Sequence, residues 1–122
     1  MNRAAERAKR AELGVRAEEL CAELLRGAGL RVLARNWRCR HGEIDLVAEE
    51  GGTLVFAEVR YRRDQRFGGA AESVTAAKQA RLIAAARLYL MGRPDANCRF
   101  DVLLLDSLEA ARIKWIRNAF TA

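Results

Sequence analysis

Two segments that alternate as strands do, Glu43 to Glu49 and Leu54 to Arg62, are joined by Glu50-Gly51-Gly52-Thr53. This hairpin constrains the chain more than any other feature, because glycine supplies the positive φ that a tight primed turn needs. In the first segment Ile44, Leu46 and Ala48 share one face, and Glu43, Asp45 and Val47 share the other. In the second, Val55, Ala57, Val59 and Tyr61 oppose Leu54, Phe56, Glu58 and Arg60. With Gly51 and Gly52 as the loop, Asp45 lies opposite Glu58 and Glu43 opposite Arg60. The second pair neutralises itself. The first sets two carboxylates roughly 4.5–5.5 Å apart at Cβ, where like charges repel, so something positive is expected between them. Two carboxylates on neighbouring strands suit a hard divalent cation such as Mg²⁺, which takes one or two carboxylates together with waters and phosphate oxygens. The alternative is a pair of strand-end carboxylates at the water boundary, offset by Arg60 and Arg62.

The hairpin sits inside a regular succession of elements. From about Arg3 to Gly27 the spacing predicts a helix with Leu13, Ala17, Leu20, Leu24 and Ala28 along its apolar stripe. Gly27 and Gly29 stop it, and the first twelve residues form a frayed or extended helical start. Glu19 groups with Glu23 and Arg26 on the solvent side. Glu18, three and seven residues before Cys21 and Leu25, lies at the margin of the buried stripe and can face a site at the sheet edge. Leu30 to Arg38 reads as a strand ending at Trp37, assigned to the core. Arg38, Arg40 and His41 make a basic connection into the Glu43 strand, where His41 suits a polar loop position or a phosphate contact better than a general base. Arg62, Arg63 and Arg66 lie in a basic loop ending at Gly68-Gly69, suited to a nucleic-acid backbone. A second helix runs from about Thr75, its N-cap, to Met91, with Lys78 in the first turn, where free N–H groups favour a phosphate. A strand over Arg99 to Leu105 follows, and Arg112 to Phe120 forms an edge strand or a last turn. The order helix, three strands, helix, strand is an α/β arrangement around one mixed sheet.

Bulk properties narrow the function classes. The 122 residues, 51% of them hydrophobic, suffice for one domain over 1–122. No apolar run approaches the roughly 18 residues of a membrane span, and the N-terminus lacks the apolar centre of a signal peptide. A cytoplasmic protein with no membrane partner is expected. Three widely spaced cysteines, Cys21, Cys39 and Cys98, and a single histidine give neither a disulfide framework nor a zinc site. A net charge of +6 favours a polyanionic partner bound through counterion release. No phosphate-binding glycine loop and no Ser-His-Asp set is present, which argues against NTPases, Rossmann dehydrogenases and triad hydrolases.

Several separated motifs occur together in one order: Gly14 to Ala22 with Glu18 inside it, Ala34-Arg35-Asn36-Trp37-Arg38, Gly42-Glu43-Ile44-Asp45-Leu46-Val47, Val55-Phe56-Ala57-Glu58-Val59-Arg60, Lys78, Arg99-Phe100-Asp101-Val102 and Asn118-Ala119-Phe120. In these the chain resembles the YraN family, also known as UPF0102, over about Gly14 to Phe120. That family is similar to restriction-endonuclease-like nucleases, including archaeal Holliday-junction resolvases. The resemblance implies an αβββαβ core and a site in which Glu18, Asp45 and Glu58 bind Mg²⁺ or Mn²⁺. One position departs from the pattern: Arg60 stands where a lysine is usual. Lysine can take part in proton transfer, whereas arginine stays protonated and only donates hydrogen bonds and offsets charge.

These readings lead to a metal-dependent endonuclease on DNA, branched or otherwise structured. In it Asp45, Glu58 and Glu18 hold the metal, and Arg60 clamps the scissile phosphate. Arg38, Arg40, His41, Arg62, Arg63, Arg66 and Lys78 contact the flanking backbone. The resemblance, through a symmetric four-way junction as substrate, implies a homodimer carrying two sites. The competing reading is a non-catalytic nucleic-acid-binding protein with the nuclease-like fold, motivated by Arg60. DNA is preferred to RNA as the partner, although no base-reading constellation separates them.

Overall fold

Gly51 and Gly52 take φ values of 54° and 87°, so both turn residues occupy the left-handed region that only glycine enters without strain. The hairpin they close is the centre of a computed structural model that describes residues 2–61, 74–93 and 95–122. Its elements are α1 (Arg3–Gly27), β1 (Arg31–Cys39), β2 (Gly42–Glu50), β3 (Thr53–Tyr61), α2 (Ala76–Tyr89), β4 (Asn97–Leu105) and β5 (Lys114–Phe120). Short 3-10 turns occur at Leu90–Gly92 and Ala110–Arg112.

The strands form one mixed sheet in the order β1-β2-β3-β4-β5. The first three are joined as antiparallel neighbours, β3 and β4 are parallel, and β5 returns antiparallel to β4. A parallel pair needs a crossover, and α2 supplies it. This is the expected α/β arrangement with an αβββαβ core, to which Lys114–Phe120 adds an edge strand. The basic loop carrying Arg62, Arg63 and Arg66 lies outside the described residues.

Among the described residues, each sheet face is covered by one helix. On the α1 face, Ala17, Cys21 and Leu25 pack with Leu46, Ala48, Val55, Ala57, Leu103 and Leu105. On the α2 face, Leu82, Ala85 and Ala86 pack with Ile44, Val47, Leu54, Phe56 and Phe100. Trp37 joins this second layer, edge-on to Tyr89 at 5.3 Å. β3 is therefore buried on both faces from Leu54 to Ala57, as a central strand beside a parallel neighbour should be.

The helix boundaries follow local chemistry. Asn2 accepts the Ala4 N–H at 2.9 Å to cap α1, and Thr75 accepts the Lys78 N–H at 3.2 Å to cap α2. At the far end of α1 the Leu30 N–H bonds the Leu25 carbonyl and the Gly29 N–H that of Arg26, both at 3.0 Å. Gly29 sits between them at φ 94°. This is a Schellman closure with its apolar Leu25–Leu30 contact.

Three details of patterning differ from expectation. The buried face of α1 is Ala17, Cys21, Ala22 and Leu25, while Ala28 is exposed. The stripe is rotated, and Glu18 travels with it towards the sheet. In β1 the register shifts between Val32 and Ala34, so Val32 packs with the α1 layer while Leu33 and Ala34 pack with the α2 layer. In β2 the set Ile44, Leu46 and Ala48 is divided: Ile44 joins the α2 layer with Val47, and Leu46 and Ala48 join the α1 layer. The physical reason lies opposite Asp45, where Asn36 adopts φ 51° and breaks the alternation.

Candidate metal and phosphate site

The deduced hairpin register holds from Glu50↔Thr53 to Leu46↔Ala57, and there the β2–β3 ladder stops. At the next step the Asp45 carboxylate, not the β2 backbone, accepts the Val59 N–H, at 2.9 Å. Asp45 thus lies in a notch in the sheet, next to Glu58. Glu18 approaches from α1, which brings it to Asn36 and Asp45. Ligand oxygens of Glu18, Glu43 and Asp45 all lie within 4.8 Å of one another.

The electrostatics follow from partial burial of like charges. Burial first, and Glu58 second, push the Asp45 carboxyl up to about 7, with the Val59 N–H opposing. Burial and then Asp45 raise Glu18, with the Asn36 side chain opposing. Burial raises Glu58 too, but the charges of Lys78 and then Arg60 hold it down. A free carboxylate beside others in a half-buried notch favours its protonated form.

Lys78 and Arg81 bring positive charge to the site from α2. Gly42, Glu43, Glu58, Lys78, Arg81 and Leu82 line one cleft. Lys78 and Arg81, one turn apart, face it from the start of α2. Arg60 reaches Glu58 at 3.8 Å, with only 11% of its side chain exposed. Glu43 pairs with Arg38 across β1 and β2 at 3.1 Å, where the sequence reading had paired it with Arg60. The β1–β2 connection turns Glu43 towards its own hairpin neighbour, and Arg60 follows Glu58 instead. Arg40 and His41 form that connection and contact each other at 3.4 Å.

Four expected residues, Glu18, Asp45, Glu58 and Arg60, therefore come together, and Lys78 joins them. Sequence reasoning missed Glu43, Arg81 and Asn36. Glu43 had been treated as already neutralised. Arg81 carries a signal in hindsight, lying three residues after Lys78 and so on the same helix face. The donor set is all carboxylate oxygen, which fits a hard cation such as Mg²⁺ or Mn²⁺ and does not fit a soft one.

A second buried carboxylate belongs elsewhere. Asp101 is fully buried and accepts from Arg99 Nε at 3.1 Å, Trp115 Nε1 at 2.9 Å and the Asn118 N–H at 2.9 Å. It ties β5 to β4 where their register shifts between Phe100 and Val102.

The family model described as Uncharacterised protein family UPF0102 matches residues 17–105, from the buried half of α1 to the end of β4. The chain belongs to UPF0102. Among its relatives, a UPF0102 protein of Nitrosomonas europaea is 53% identical over 88% of this chain and 92% of its own length. Another, of Methylobacillus flagellatus, is 50% identical over 91% of this chain and 98% of its own length. The matched stretch of this UPF0102 chain contains Glu18, Glu43, Asp45, Glu58, Arg60 and Lys78, and it leaves out Arg3 to Arg16 and β5. No helix among the described residues is long and apolar enough to cross a membrane.

Proposed function

We propose that this protein is a metal-dependent phosphodiesterase acting on DNA, branched or otherwise structured, in the cytoplasm. The observation that carries the reading is the gathering of Glu18, Glu43 and Asp45 within 4.8 Å in a notch where the sheet ladder has been given up. Such a cluster is electrostatically costly without a cation. Glu18, Glu43 and Asp45 would hold Mg²⁺ or Mn²⁺, with Glu58 beside Asp45 as a further donor. The ion would supply a Lewis acid that makes water nucleophilic near neutral pH and offsets phosphate charge.

The remaining steps belong to the side chains. Lys78 and Arg81 would take the phosphate into the cleft beside Glu58, aided by the start of α2. Arg60 would donate hydrogen bonds to the phosphate as negative charge builds on it. Arg60 cannot act as a base, so Arg60 serves charge and geometry only. Arg38, Arg40 and His41, together with Arg62, Arg63 and Arg66, would bind flanking backbone. A homodimer would present two such sites to a symmetric junction.

A second reading, a nucleic-acid-binding protein without catalysis, is favoured by one observation: Arg60 stands at the usual lysine position and is turned onto Glu58. One experiment separates the two. Mg²⁺ and Mn²⁺ are titrated against a labelled four-way junction, a duplex and a single strand, with Asp45→Ala and Glu58→Ala in parallel. Metal-dependent cutting that falls at least about 100-fold in both variants supports the enzyme. Binding indifferent to metal and to both substitutions, without cutting, supports the binding module.

A further inference from the structure

α1 changes character halfway along. From Ala17 onward one face is buried in Ala17, Cys21 and Leu25, whereas residues 2–12 are exposed throughout. At 100° per residue, Arg3, Arg7, Arg10 and Gly14 continue the same stripe as Ala17, Cys21 and Leu25. The face that is apolar against the sheet is therefore arginine beyond it. The opposite face carries Lys9, Glu12, Arg16, Glu19 and Glu23, of mixed sign.

The overhang points past the site end of the sheet. Going backwards along α1, Leu25 packs beside Leu30 at the start of β1, and Glu18 reaches Asn36 near its end. Only Trp37, Arg38 and Cys39 of β1 remain beyond, roughly 10 Å of strand. Arg3 lies fifteen residues before Glu18, roughly 22 Å of helix. α1 therefore runs on past the β1–β2 turn. Arg10, Arg7 and Arg3 follow one another along it at about 5 Å intervals.

Among the described residues, none of residues 2–12 packs an apolar side chain into the core from this half of the helix. It is alanine-rich at Ala4, Ala5, Ala8 and Ala11, Asn2 caps it, and Glu6 and Arg10 are spaced for an ion pair. We infer that the N-terminal half of α1 is a phosphate-tracking arm: Arg3, Arg7 and Arg10 lie along the backbone of the nucleic acid whose nearby phosphate occupies the Lys78 and Arg81 cleft. The inference rests on the proposed nucleic-acid substrate and adds where its flanking strand runs. Charge complementarity selects the occupant, since a row of arginines at regular rise matches a polyphosphate.

The test compares Arg7→Gln/Arg10→Gln with Lys9→Gln/Arg16→Gln, two charges removed from each face, glutamine keeping helix propensity. Binding to a labelled duplex is measured against salt with EDTA present, and cutting is measured separately with Mg²⁺. The stripe variant should bind roughly tenfold more weakly, with a salt slope shallower by about 2, while the opposite-face variant stays near wild type. Arg7→Lys/Arg10→Lys should restore binding. Equal loss from both faces, no loss from the stripe, or no duplex binding by wild type overturns the arm. Loss of self-association in the stripe variant with duplex binding intact also overturns it, in favour of a second copy. Stripe-dependent binding without any cutting overturns the enzyme alone and leaves the arm standing.

Discussion

Asp45 is the residue on which the site depends, and its ionisation gives a test that needs no substrate. Burial pushes its carboxyl up to about 7 in the folded protein, against an ordinary value of 3.8. Between those values the folded state holds a proton that the unfolded state has lost. The stabilisation is complete below about pH 4 and disappears as pH rises through 7. Glu18 and Glu58 are shifted in the same direction, so their contributions add. In EDTA, the thermal midpoint should fall from pH 5 to pH 8, and Asp45→Asn should flatten that fall. A midpoint rising over this range, or an unchanged slope in Asp45→Asn, would contradict the burial described for Asp45.

At this scale the sequence was informative unevenly. The adjacency of Asp45 and Glu58 was legible because a two-glycine turn sets the register of everything that follows. Glu18 was legible only as a margin residue, since helical phase gives direction but not the rotation of the helix against its sheet. Glu43 was misassigned because partner choice among several arginines depends on strand separation, and the ladder opens just there.

Among the elements, β5 is the one whose attachment is most specialised. It is short and lies at a sheet edge, and its register with β4 is interrupted. Asp101 compensates by taking one bond from Trp115 and one from the Asn118 backbone, while Arg99 extends to Glu50 at 2.8 Å. Replacing Asp101 by Ala strands buried donors and should cost about 3 kcal/mol of stability, read from urea unfolding. Under the proposed function, metal-dependent activity per folded molecule should persist in Asp101→Ala. A loss below 1 kcal/mol would show that β5 is held by Ile116 and Phe120 packing instead. The sequence placed Asp101 in the Arg99 to Leu105 strand and in one of the separated motifs without a partner, because nothing local indicates that an aspartate will be enclosed by residues fourteen and seventeen positions away.

For the whole molecule, the candidate site draws on α1, β2, β3 and the start of α2 at once, so ligand binding and global stability must be linked. Under the proposed function, Mg²⁺ or Mn²⁺ at about 100 times its dissociation constant should stabilise the fold by about 2.7 kcal/mol. The thermal midpoint should rise with added metal and return on chelation, and Asp45→Asn should lose the response. No shift with either ion at millimolar concentration would count against the carboxylates as a metal centre.

The sequence by itself determined the element order, the Thr75 cap, the glycine stop of α1, the hairpin register and the membership of two carboxylates in one neighbourhood, since each depends on near-neighbour backbone geometry and periodicity. Tertiary structure alone decided that the ladder ends at Asp45, that Ile44 and Leu46 face opposite layers, that Glu43 and Arg81 border the site and that Asp101 is enclosed. Those outcomes depend on how a helix and two strands meet in space, where burial and charge from distant residues outweigh local preference.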